Sequence, residues 1–217
     1  MARAAHYLVS IGLTVAVAVA PAYVIGAAQS HSPTAEMPQP PLSMEQKGYH
    51  HYTQGSHYRD KALTLESQLQ AATTDKARHK LSKKIVKNYR MAAAEFELAL
   101  HNHPTLYQAA SGLGHVLGKT EDYPEALAAC DLALSIEPGD GDALACRGGA
   151  LLGMAQLEDA KEVYEQLFDL DRERSRRLLA AMRVWLDQQI DGPSDVPPSI
   201  LEYFAEWLNE QAAVAGR

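Results

Sequence analysis

A chain of 217 residues suffices for one ordinary domain with appendages. Apolar residues make up 47% and charged residues 22%, the balance of a soluble globular protein, and sparse aromatics (7%) with recurrent alanine and leucine favour helices over an all-β sandwich. The net charge of -7 is unevenly spread: Met44 to Arg90 hold ten Lys/Arg against four Asp/Glu, and from Met91 onward nine stand against 22. A C-terminal half this acidic argues against general nucleic-acid binding, which needs clustered positive charge.

Residues 1–28 read as a signal peptide or an N-terminal membrane anchor. Arg3 is the one strong charge before Glu36, Tyr7 to Ala28 is almost continuously apolar, and Gly26 and Ala28 flank a plausible cleavage point. The run approaches the ~20 residues that span a bilayer, although Pro21 weakens a straight helix. Either way the rest of the chain is expected outside the cytoplasm, in the periplasm or cell envelope. Residues 29–42, with prolines at 33, 38, 40 and 41, read as an extended Pro/Ser-rich linker.

Helical patterning starts at the capping box Ser43-Met-Glu-Gln46. Ala62, Leu65, Leu69 and Ala72, then Ala77, Leu81 and Ile85, recur at helical spacing on the two sides of a break near Thr73 and Thr74. Lys76, Lys80, Lys83, Lys87 and Arg90 follow at spacings of four, three, four and three, so they share one helix face. A solvated amphipathic face explains them simply. Against that, no acids are interleaved to neutralise them, so the stripe is also a candidate dock for an acidic partner, anionic lipid headgroups or the acidic half of a second copy.

A shift of 34 residues superposes Tyr107–Asp140 on Gly141–Arg174. Gly114 then falls on Gly148, Leu117 on Leu151, Tyr123 on Leu157, Ala126 on Ala160 and Ala133 on Leu167. The same shift backward sets Ala92, Phe96, Ala99 and Pro104 on Ala126, Cys130, Ala133 and Pro138. Period and residue types resemble the tetratricopeptide repeat (TPR). Gly114 with Ala126, and Gly148 with Ala160, supply small residues where antiparallel helices cross, and Pro138 stops a helix. The resemblance implies an all-α fold: a short TPR-type helical solenoid with an elongated first helical hairpin and C-terminal capping helices. Two repeats fill 107–174. The first pair, 43–106, departs from the pattern because Lys80 stands where a glycine is wanted. Gly55 facing Ala92 is the better match; it implies a 25-residue insertion and a coiled-coil arm projecting by ~18 Å.

Residues 175–217 read as the cap of the stack. Asp171 opens a helix whose apolar face carries Leu178, Leu179, Met182, Trp185 and Leu186, and Ser199-Ile-Leu-Glu202 offers a capping box for a last helix with Phe204, Trp207 and Leu208. Both tryptophans are expected in the core of this cap. Two cysteines, Cys130 and Cys146, do not make a disulfide framework; small buried thiols are their commoner use in helical cores, and a bridge stays open.

No phosphate loop, nucleophile elbow or HExxH is present, so no catalytic residue, cofactor or metal is expected. His50 and His57 lie two turns apart, too far to share an ion, and His101 and His103 sit at a helix end. The resemblance instead implies a protein or peptide partner on the face lined by the first helix of each repeat. Here that face would hold Gln108, Ser111, His115 and Lys119, then Asp142, Ala145 and Gly149. The expected function is an exported adaptor that organises an envelope complex through this groove and the basic arm. A chaperone-like holder of unfolded exported clients, of the cytochrome-maturation type, is the alternative, and an enzyme subunit comes far behind. Membrane association through the N-terminus or basic arm, and homo-oligomerisation, remain open.

Overall fold

The computed structural model describes residues 41–215, so the signal-or-anchor reading of 1–28 and the linker up to residue 40 lie outside the described residues. All elements among the described residues are helical: α1 (Met44–Ala71), α2 (Asp75–Asn102), α3 (Tyr107–Lys119), α4 (Tyr123–Ile136), α5 (Gly141–Gly153), α6 (Leu157–Leu170), α7 (Arg172–Asp191) and α8 (Pro198–Ala215). None of these helices is long and apolar enough to cross a membrane.

The first hairpin starts where the capping signal sits. Ser43 accepts from the Gln46 N–H, and the Gln46 side chain returns the bond to the Ser43 N–H. The chain turns back at residues 72–74, and Thr74 caps α2 by accepting from the Ala77 N–H. Gly55 lies on the predicted contact face, but its nearest neighbour is Phe96, one turn beyond Ala92. A Cβ on Gly55 would stand 2.8 Å from the Phe96 ring, and a Cβ on Gly112 of α3 would stand equally close to the ring's far edge. Phe96 is therefore wedged between two bare stretches of backbone. From residue 63 to residue 84 nothing is fully buried; this tip, ~15 Å long at the helical rise, is the arm. Below it, Tyr89 donates to Glu66 Oε1 at 2.9 Å, and Lys119 of α3 reaches the same carboxylate at 3.2 Å.

The bounds of α5 and α6 are those of α3 and α4 displaced by 34 residues, and the left-handed residues that turn each pair, Glu121 (φ 67°) and Ala155 (φ 56°), stand 34 apart as well. A Cβ on Gly114 would lie 3.0 Å from the Ala126 carbonyl oxygen and 2.5 Å from the sulfurs of both cysteines. Those cysteines are joined: a disulfide links Cys130 of α4 to Cys146 of α5, with Cα atoms 6.0 Å apart. Pairing, rather than two buried thiols, is the use the structure makes of them. The atoms nearest to a Cβ on Gly148 belong to Leu178 of α7 and Val163 of α6.

Two main cores result. One gathers Tyr89, Ala92, Phe96, Leu106, Leu113 and Val116 from α1–α3 with Ala129 of α4. The other gathers Leu151, Val163, Tyr164, Leu167, Met182, Phe204 and Leu208 from α5–α8. A thin layer of alanines, Ala110, Ala133 and Ala143, lies in a third small cluster on α3, α4 and α5. In the C-terminal core Asp171 caps α7 through two backbone N–H groups, as its sequence suggested. Trp185 and Trp207 pack on Phe204, each with ring centroids 5.9 Å apart. The last helix begins at Pro198, so Ser199 lies within its first turn instead of capping it; proline suits the first helical position because no N–H is needed there.

Candidate functional site

The odd-numbered helices line one groove enclosing about 760 Å³. Its wall on α3 carries Gln108, Ser111, His115 and Lys119, and its wall on α5 carries Asp142, Ala145 and Gly149. All seven residues named from the repeat pattern thus come together. The first hairpin adds Tyr52, Arg59, Asp60 and Leu63, and α7 adds Arg174, Arg177, Leu178 and Ala181.

The groove is small-residue at its middle and charged at its ends. Gly118 and Gly149 face open space, with nothing within 4 Å of where a Cβ would stand, unlike the glycines at helix crossings. At one end Lys119 is held by Glu66 and Arg59 by Asp60 at 2.9 Å. At the other, Arg174 bonds Asp142 Oδ1 at 2.8 Å and also grips Asp171. Hydrogen bonds from the Arg174 backbone and side chain hold the Asp171 carboxyl below the usual range. Two acceptors in the groove, Gln108 Oε1 and Asp140 Oδ2, are buried and have no hydrogen-bond partner among the described residues. His115 is exposed, yet the crowding of the groove walls around its imidazole, then the Lys119 and Arg59 cations, hold it below its ordinary value, with Glu66 and Asp142 pulling the other way.

The basic stripe is a separate surface. Lys76, Lys80, Lys83, Lys87 and Arg90 are all exposed, on the side of α2 opposite its buried residues, and none of them lines the groove. Lys83, Lys87 and Arg90 flank a shallow furrow with Val86, Met91 and Ala94. The histidines are otherwise engaged: His51 Nδ1 lies 2.8 Å from Glu95 Oε2, and His103 packs edge-on against Tyr49. Among the described residues no three His, Cys, Asp or Glu side chains are grouped as a metal site.

The repeat pattern named no groove residue on α7, whereas Arg174, Arg177, Leu178 and Ala181 line the groove. The signal was Asp171: it caps α7 directly after α6, without the four-residue turn that separates α4 from α5, so α7 starts early. Cys146 in the groove wall was also missed, since no residue pattern placed it there.

A scan against protein-family models finds no match to this chain, and a search of the curated proteins likewise finds none. The class that the architecture defines by itself is an all-helical protein with a groove along alternate helices.

Proposed function

We propose that this chain is an exported TPR-type adaptor that holds an extended segment of another protein in the groove, with the basic arm as a second docking surface in an envelope complex. The 34-residue recurrence of helix bounds and left-handed turns supports the TPR-type solenoid. The observation that carries the binding role is the groove itself: alternate helices contribute its walls, and polar and charged side chains line it from Gln108 and Lys119 to Asp142 and Arg177. Wall residues that are small, such as Ala145 and Gly149, leave room for an extended backbone.

The test places a photo-crosslinking side chain at Gly149, where a Cβ meets open space, or at Leu132, which is exposed on α4. Crosslinks in the native envelope from position 149 alone, to one folded partner and in one segment of it, are the expected result. Equal yields from both positions would sink the groove reading, and crosslinks confined to unfolded clients would replace the adaptor by the holder. As a companion, Gly118→Trp, at the other groove glycine that faces open space, should abolish the crosslink from position 149 while moving thermal stability by less than about 1 kcal/mol.

A further inference from the structure

The acidic half of the chain carries a stripe that mirrors the basic one. On α6, Glu158, Glu162, Glu165 and Asp169 follow at spacings of four, three and four, and all four are exposed. The buried residues of this helix, Leu157, Ala160, Lys161, Val163, Tyr164 and Leu167, occupy the opposite side. At 100° per residue the stripe points away from the core, as the lysine stripe does on α2.

Within its own molecule the basic stripe makes no ion pair among the described residues, and the acidic stripe makes one, at Glu158. The lysine-rich part of α2 has a single acid, Asp75, at its first position. The one base within α6 is Lys161, and it is turned inward. It is 5% exposed, its ammonium sits 4.2 Å from the centre of the Tyr203 ring, and its carboxylate partner is Glu158 at 2.8 Å. Glu162, Glu165 and Asp169 make no ion pair among the described residues, and neither do the five cations of α2. Beyond the end of the α6 stripe, Arg172 is stacked over Phe168 at 3.5 Å. The two helices contribute to different cores, α2 to the N-terminal and α6 to the C-terminal one.

From this we infer that the basic stripe of α2 docks on the acidic stripe of α6 in a second copy of the same chain. Helix against helix, matched three- and four-residue spacings bring successive Lys and Glu side chains opposite one another over ~16 Å. In a two-fold dimer each copy offers α2 to its partner's α6 and receives the reverse, so both stripes are neutralised at once. An anionic membrane would satisfy the lysines but would leave the acidic stripe facing solvent, and for that reason a second copy is the better-matched occupant. This deepens the reading of the arm as a docking surface and is independent of the groove, so the crosslinking experiment and the one below fail separately.

The test uses two differently tagged full-length copies, co-expressed and purified through one tag at low salt. Wild-type copies should co-purify, less so as salt rises, because exposed charge pairs are screened. Lys80→Glu, Lys83→Glu and Lys87→Glu together on both copies should lower recovery by about tenfold or more, as should Glu162→Lys, Glu165→Lys and Asp169→Lys together on both. One triply reversed copy of each kind should pair again, because the reversed α2 of one then meets the reversed α6 of the other with signs exchanged, while the second α2–α6 contact keeps its native charges. That rescue also shows that the reversed chains fold. Failure of wild-type copies to co-purify, indifference to either reversal, or absence of rescue in the mixed pair would overturn the proposal. So would α2-reversed copies that still pair but lose binding to phosphatidylglycerol vesicles, which would assign the stripe to lipid.

Discussion

The two ends of the molecule close their cores by different means. Around α1–α3 Phe96 alone fills the notches left by Gly55 and Gly112, and beside Tyr89 and Tyr52 much of the remaining contact is alanine. Around α5–α8 several large side chains fill the space together, and Tyr164, Trp185, Phe204 and Trp207 contact one another ring to ring. Bare backbone allows close helix approach but makes the fit depend on one ring, whereas an aromatic cluster spreads the fit over many contacts. The long first hairpin, whose outer third fully buries no residue, therefore hangs on the narrower of the two anchors.

The largest effect is expected at that anchor. Phe96→Ala should destabilise the protein by about 3–5 kcal/mol, the usual range for emptying a buried phenylalanine site. Two glycines face the ring, and neither can move a side chain into the void. Denaturant unfolding followed by circular dichroism measures it, and a loss below about 1 kcal/mol would show that the notch collapses and that the contrast between the two cores is false.

Next comes the joint between the cores. The cross-link closes a separation of 16 residues, for which chain entropy alone is worth about 3 kcal/mol. Replacing both cysteines by alanine should cost that order and should uncouple the two ends, because only the alanine layer of α3, α4 and α5 then backs the crossing. Hydrogen exchange would read this as earlier opening of α1–α3 than of α5–α8. Simultaneous opening of both ends would show that the joint does not depend on the bond.

How much of this was legible in the residues depends on whether a feature is local. The 34-residue recurrence located α3 to α6, and with them seven groove residues, because helix starts and crossing glycines repeat within each pair. The capping box at Ser43, the turn near Thr74 and the cap at Asp171 were readable for the same reason. Features that depend on two distant helices meeting were not. Pairing of Cys130 with Cys146 requires α4 and α5 to come together beside Gly114, and the seating of Leu178 against Gly148 requires α7 to pack on α5. Ser199 misled because a capping signal lay one residue inside a helix that Pro198 already opens. Arg174 and Arg177 were hidden by the early start of α7.

The smallest effect lies where the two halves meet in the groove. His115 has its imidazole held below the ordinary value of 6.5, first by loss of water and then by Lys119 and Arg59. As pH falls through 6.5 the unfolded chain therefore takes up this proton before the folded one, so the contribution to stability is present above 6.5 and is lost as acidification proceeds toward the lowered value. Nuclear magnetic resonance titration of the ring should give a midpoint under 6.5, and Lys119→Met should raise it only part of the way, because loss of water is the larger cause. A midpoint at or above 6.5 would mean that the groove is wetter than its geometry implies. At neutral pH the ring offers one acceptor nitrogen in the groove wall. Protonation converts that acceptor into a donor, so a segment held through its own N–H groups or basic side chains should be released on acidification.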